Sequence, residues 1–350
     1  MRLSSWRFFA SCCLHRRAAL SLGAGVACNT QKQVQEFLAF NDADPQTTVR
    51  AVNDEERDPT AFSQNLSGPW SAAMSFATLM VHMDVEAKSD ARVRLAAQLA
   101  DRFASALIGI SACVLPPYPA EGAYFVTREF VEQEREATAA AFQRTEAAFR
   151  AAAGEKGSKL KWLEWRSAID LPETFIVSEA RAADLVIVGR APSPMDIRRC
   201  LDPAAAVLRA GRAMLVVPPG VDTLKAERIL IGWKDAREAR RALRDSLPLL
   251  HEAKSATIVE VCDDSMAASA RQRVADVASY LARHRMAVGS ARAAAAKNDV
   301  AHRLIDLARV EGADLIVTGA YGHSRLGEWI FGGVTRELLG SSPVCCLMSN

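Results

Sequence analysis

The sequence predicts an α/β fold made of two tandem five-stranded parallel-sheet units, running from about Met74 to the end of the chain. Three observations carry this expectation. Apolar runs of strand length alternate with longer amphipathic stretches, which is the pattern of a parallel sheet with crossover helices. The order strand, helix, strand, helix, strand, helix, strand, helix, strand occurs twice. Laying ADLVIVG (Ala183 to Gly189) on ADLIVTG (Ala313 to Gly319) fixes an offset of 130 residues, which without a gap also puts Leu208 on Leu338, Ala213 on Pro343 and MLVV on VCCL.

In the first unit, residues 74–220, short apolar runs place strands at Thr78–Met83, Leu107–Val114, Leu160–Trp165, Leu185–Val188 and Met214–Val217. Amphipathic stretches between them place helices at Asp90–Ala104, Arg128–Ala153, Leu171–Ala182 and Pro203–Ala210. The longest of these repeats Phe130, Val131, Ala137, Ala141, Phe142 and Phe149 near helical spacing, as a packing face or a lid over the first crevice does. Pro218-Pro219-Gly220 ends the unit. The second, residues 225–350, repeats the pattern with strands at Ile229–Trp233, Ala256–Val261, Ala287–Ala291, Leu315–Thr318 and Val344–Met348. Its helices fall at Arg237–Leu249, Ala268–Arg285, Val300–Val310 and Gly333–Leu339. The strands Met214–Val217 and Val344–Met348 are expected at sheet edges, open to a homodimer partner.

Composition narrows the function. Of 350 residues half are hydrophobic, and 43 Lys and Arg stand against 41 Asp and Glu, so no overall field draws the chain to nucleic acid or to a membrane surface. No apolar run reaches the length of a membrane span. Eight cysteines without C-x-x-C spacing read as reduced thiols of a cytoplasmic protein. Six scattered histidines lack H-x-x-x-H or H-E-x-x-H spacing, and neither a G-x-x-x-x-G-K-[ST] loop nor a G-x-S-x-G elbow occurs, which points away from a metal centre and the common nucleophile enzymes. Residues 1–73 read as a disordered or spurious extension ahead of a start at Met74, with Arg16-Arg17 and the small-residue stretch after them as a twin-arginine signal in the other reading.

The chemistry concentrates in ADLIVTGAYGHSRLGEWIFGGVT, Ala313 to Thr335. In an open parallel sheet, ligands settle beyond the carboxyl ends of strands where the winding reverses. Gly319 and Gly322 allow positive φ or a close backbone approach. Gly332 and Gly333 open the last helix, whose first amides, with that of Val334, lack internal partners and suit a phosphate. His323, Ser324, Arg325 and Thr335 add donors.

This segment resembles the nucleotide-binding signature of the universal stress protein family, G-x2-G-x9-G-(S/T). Gly319, Gly322 and Gly332 match it, with His323 to Phe331 as the nine intervening residues, while Gly333 stands where Ser or Thr is expected. The resemblance extends over the order of elements from Met74 to Asn350 and implies an adenine nucleotide alpha hydrolase-like fold of the universal stress protein type. It further implies a stress-response module that binds ATP or a related adenine nucleotide in the second unit. Family members that bind ATP resemble one another in an acidic residue at the end of the unit's first strand, near base and ribose; this chain has Lys234 there, then Asp235. Lys234 is expected to meet a phosphate, and Asp235 to cap the helix beginning at Ala236 or Arg237 or to contact the ribose.

By the 130-residue offset, Pro192, Asp202 and Pro203 replace Gly322, Gly332 and Gly333 in the first unit, leaving only Gly189. Proline lacks an N–H and aspartate repels phosphate, so this loop is not expected to hold nucleotide. Two readings of function follow. One is nucleotide binding with little or no hydrolysis, since no dedicated base or metal carboxylate is visible; the other is an interaction scaffold for protein partners in which both loops are structural.

Overall fold

The computed structural model describes residues 75–85, 88–115, 128–154, 160, 162–190, 198–295, 299–321 and 333–350. The extension 1–73 and the loop residues Gly322, His323, Ser324, Arg325 and Gly332 lie outside them. The described strands are β1 (Thr78–His82), β2 (Ala106–Ala112), β3 (Leu163–Ala168), β4 (Leu185–Gly189), β5 (Ala213–Val217), β6 (Arg228–Gly232), β7 (Ser255–Cys262), β8 (Val288–Ala295), β9 (Leu315–Gly319) and β10 (Cys345–Ser349). They form one ten-stranded sheet in the order β3-β2-β1-β4-β5-β10-β9-β6-β7-β8. Each half has the same order, and in each the winding reverses between the first and fourth strands: β1 with β4, and β6 with β9.

Nine helices of the described residues cover the two faces: α1 (Asp90–Phe103), α2 (Arg128–Gly154), α3 (Pro172–Glu179), α4 (Pro203–Arg209), α5 (Arg237–Asp245), α6 (Leu247–Glu252), α7 (Ala267–Arg283), α8 (Val300–Glu311) and α9 (Gly333–Ser341). Because both faces are covered, the central strands are apolar through their middles and deal side chains alternately to two cores. Leu185, Ile187, Leu315 and Val317 enter the core under α1, α2, α5, α6 and α7, while Val186, Val188 and Ile316 enter the one under α3, α4, α8 and α9. Truncating one such leucine to alanine costs about 2–5 kcal/mol. Cys345 and Cys346 divide between the same two cores, and burial pushes their thiols up to about 12 and about 11, which keeps them protonated and unreactive.

The repeated Ala-Asp-Leu owes its aspartate to the backbone. Asp184 accepts from the N–H groups of Ala77 and Thr78 at 2.8 and 2.9 Å, and Asp314 from those of Glu227 and Arg228 at 3.0 and 3.1 Å. Each clamps the start of its unit's first strand. Asp202 and Asp299 cap α4 and α8 by accepting from Ala204 and Ala301.

The join differs from the expectation in one respect. β5 and β10 are not edges: they pair antiparallel with each other at the centre of the sheet, Val216 opposite Cys346. Their outer hydrogen-bonding groups are satisfied within the chain, so the expected homodimer through these strands has no free edge to use. The linker is strapped down by Arg102, which donates to the carbonyls of Leu224 and Lys225 and pairs with Glu252. A second difference is the break in the helix expected over Arg237–Leu249. It ends at Asp245, because Pro248 disrupts continuous helical bonding and Ser246 turns its hydroxyl onto the Leu243 carbonyl. In α2, Phe142 and Phe149 are buried as expected, whereas Phe130 is exposed.

Candidate functional site

The carboxyl ends of β6 and β9 meet in the second unit's crevice. Gly319 ends β9, and a Cβ there would lie 2.5 Å from the Ala239 nitrogen and 2.7 Å from the Glu238 carbonyl carbon. Its smallness admits the first turn of α5, so the close approach it permits is to the protein's own backbone. Positive φ, expected at Gly319, falls instead on Tyr321, at 58°. Between them Ala320 is fixed on both sides: its N–H donates to the Ser349 carbonyl at 2.8 Å, and its carbonyl accepts from Asn350 Nδ2 at 2.9 Å.

Thr335 belongs to the first turn of α9, is 4% exposed, and accepts through Oγ1 from the Tyr321 N–H at 3.2 Å. This bond ties the exit of β9 to the start of α9. The expected phosphate donor is thus also a structural acceptor, with its hydroxyl proton left to give. Gly333 opens α9 with no atom of the described residues within 4 Å of where a Cβ would stand, and Val334 packs partly buried against the second core. Burial, with the charge of Asp202 adding to it, pushes the Tyr321 phenol up to about 12.

On the β6 side Lys234 is exposed. Asp235 does not cap α5. Ala236 occupies the cap position without a side-chain bond, and Asp235 instead pairs with Arg240 one turn on. Glu238 pairs with Arg237 at 2.6 Å. The structure therefore brings Gly319, Gly333, Val334 and Thr335 near one another through the Tyr321–Thr335 bond, with Lys234 two residues past the end of the neighbouring β6.

The first unit's crevice is filled from within. A Cβ added at Gly189 would overlap Arg92 Nη1, because the guanidinium lies across that glycine. Arg92 bonds to Asp84 at 3.0 Å and to Ser89 at 2.7 Å, and Asp84 Oδ1 also accepts from the Leu201 N–H at 3.5 Å. His82 lies 3.8 Å from Asp84 and is 1% exposed; burial lowers its pKa to about 4, so the ring is neutral near neutrality. Burial would raise the Asp84 pKa, but the neighbouring His82 and Arg92 outweigh it and hold the carboxyl below its ordinary value. Sequence reasoning missed this cluster. The available signal was positional: an offset of 150 residues lays β1 on β6, which puts Asp84 at the strand end where the second unit has Lys234.

No helix among the described residues is long and apolar enough to cross a membrane. No curated protein matches the chain. Among solved structures, a universal stress protein from Archaeoglobus fulgidus DSM 4304 shares the fold with a TM-score of 0.57 at 10% identity, covering 78% of this chain and 96% of its own. A putative universal stress protein from Pseudomonas aeruginosa UCBPP-PA14 gives 0.46 at 13% identity, over 79% of this chain and 94% of its own. A universal stress protein from Archaeoglobus fulgidus in complex with dAMP gives 0.25 at 17% identity, over 41% and 98%. The family model described as Universal stress protein family matches residues 225–349, from the strapped linker through β10. Residues 225–349 of this chain are a universal stress protein domain.

Proposed function

We propose that the second unit binds an adenine nucleotide, ATP or a close relative, as a regulatory module of the stress response with little or no hydrolysis. The observation that carries this reading is the Tyr321 N–H to Thr335 Oγ1 bond, which fixes the start of α9 at the β6/β9 reversal point, where a parallel sheet takes its ligand. The first amides of α9 receive a phosphate and the Thr335 hydroxyl donates to it, while Lys234 adds a cation at the neighbouring strand end. Gly322, His323, Ser324, Arg325 and Gly332 belong to the same reading through the glycine signature. Slow or absent hydrolysis follows from the pairing of the nearby carboxylates: Asp235 is engaged by Arg240 and Glu238 by Arg237, so neither stands ready as a base.

The first unit, with Arg92 lying across Gly189, serves as the packing partner. Its filled crevice favours the second reading, an interaction scaffold, for that half of the chain. Mass spectrometry of the full chain purified under native conditions tests the proposal. Co-purified adenine nucleotide, or a titration heat with ATP, is the expected result. Absence of both overturns nucleotide binding and leaves the scaffold for both halves.

A further inference from the structure

The β6 end of the second crevice carries donors that nothing beside it meets. Asp235 and Glu238, the acidic residues that follow, are engaged by Arg240 and Arg237. The exposed Lys234 makes no side-chain hydrogen bond or ion pair among the described residues. Trp233, just before it, is 9% exposed, and its buried indole N–H has no acceptor among the described residues. This strand end holds a full positive charge and a second unmet donor.

Register gives the place of that charge relative to a bound phosphate. Gly232, the last residue of β6, lies opposite Thr318, so the chain leaves β6 for Lys234 beside the point where β9 ends and Ala320 follows. Ala320 leads into Tyr321, which is tied to the first turn of α9. A nucleotide whose 5′-phosphate sits on the α9 amides has its sugar next in line, over the neighbouring strand end, which is that of β6. A carboxylate there accepts from sugar hydroxyls. An ammonium has no acceptor capacity and pairs best with an anion. The first unit shows the opposite choice at the equivalent place, Asp84, whose charge is already taken by Arg92.

Resting on the nucleotide-binding reading above, we infer that the second unit selects an adenine nucleotide carrying a further phosphate on its ribose, at the 2′ or 3′ position, over one with free hydroxyls. Lys234 is the residue that determines this preference. The logic is that of dinucleotide folds, where an acidic side chain reads a ribose hydroxyl and a basic one accommodates a ribose phosphate.

Titration calorimetry on the full chain at low ionic strength tests it, with 5′-AMP, 5′-ADP, adenosine 2′,5′-bisphosphate and adenosine 3′,5′-bisphosphate as the ligands used. ADP has as many phosphates as either bisphosphate and separates position from charge count. One bisphosphate is expected to bind about tenfold or more tighter than AMP and ADP, as a charged hydrogen bond implies. Lys234→Gln should bring that ratio near one. A preference that is absent in the native chain, or that survives in Lys234→Gln, overturns the inference while nucleotide binding stands. So does ADP binding as tightly as the bisphosphates and weakening in the variant, since the lysine then serves the phosphate chain. If no ligand binds, the nucleotide-binding reading itself falls, and this inference with it.

Discussion

Replacing Gly319 by alanine separates a packing role from a ligand role for the first glycine of the loop. The added methyl would stand 2.5 Å from the Ala239 nitrogen, 2.7 Å from the Glu238 carbonyl carbon and 2.9 Å from the Glu238 Cβ. Ordinary carbon contacts begin about 1 Å further out, near 3.5 Å. Two of the three atoms are backbone of the first turn of α5, so no rotamer change relieves the overlap and the helix must retreat. Overpacking of this kind costs about 1–3 kcal/mol. For a domain of this size, about 2–4 °C is lost per kcal/mol, so Tm should fall by about 2–12 °C with no ligand present. Thermal unfolding followed by circular dichroism measures this, with Gly333→Ala as the control, since no atom of the described residues lies within 4 Å of where its methyl would stand. A helical glycine replaced by alanine should leave stability equal or raise it by up to about 1 kcal/mol. If Gly319→Ala melts with Gly333→Ala, within about 1 °C, the close approach of α5 to β9 is not what requires glycine, and a role toward ligand alone remains.

Gly333→Ser restores the hydroxyl that the family signature places at the start of α9, in space that holds no atom of the described residues, so adenine nucleotide affinity should rise about tenfold in titration calorimetry. An unchanged Kd would mean that phosphate does not sit at α9. His82 gives a prediction in pH. Its folded pKa is depressed to about 4, so the unfolded chain takes up a proton near pH 6.5 that the folded chain refuses. The stability contributed by burying the neutral ring is therefore complete above about pH 6.5 and is lost as pH falls to about 4, by about 3 kcal/mol in all. Urea unfolding of the native chain and of His82→Asn at pH 7 and pH 4.5 reads the difference, and equal pH dependence in the two would place the acid sensitivity elsewhere.

The strands were legible because a two-sided sheet demands unbroken apolar runs: TLMVH, LVIVG and LIVTG announce themselves. Outer strands were less so. β3 runs from Leu163 to Ala168 and carries Glu164 and Arg166, so its polarity hid it behind the apolar residues just before it. β8 continues to Ala295 through alanines that carry little strand signature. The split at Ser246 was written in Pro248, which the apolar spacing around it masked. In the site, the glycine spacing marked the crevice, but not which glycine faces what. That Gly319 faces α5 while Gly333 meets none of the described residues depends on how a helix docks, which no local pattern encodes. The Arg92–Asp84 pair escaped for the same reason, because an arginine on a helix reads as solvated until the helix is laid over a neighbouring strand end.

The antiparallel junction of β5 with β10 also governs how the molecule responds to dilution. Two separate subunits that pair through such strands come apart as their concentration falls, and their stability follows mass action. Here both strands belong to one polypeptide, so each half meets its partner at an effective concentration set by the linker and not by the amount of protein present. The half with the filled crevice therefore never leaves the half with the glycine loop. Because the joining strands run in opposite directions, the two crevices open at opposite margins of the sheet, and one ligand cannot span both. Asp84 and Lys234, opposite charges at equivalent strand ends, therefore lie at opposite margins of the sheet.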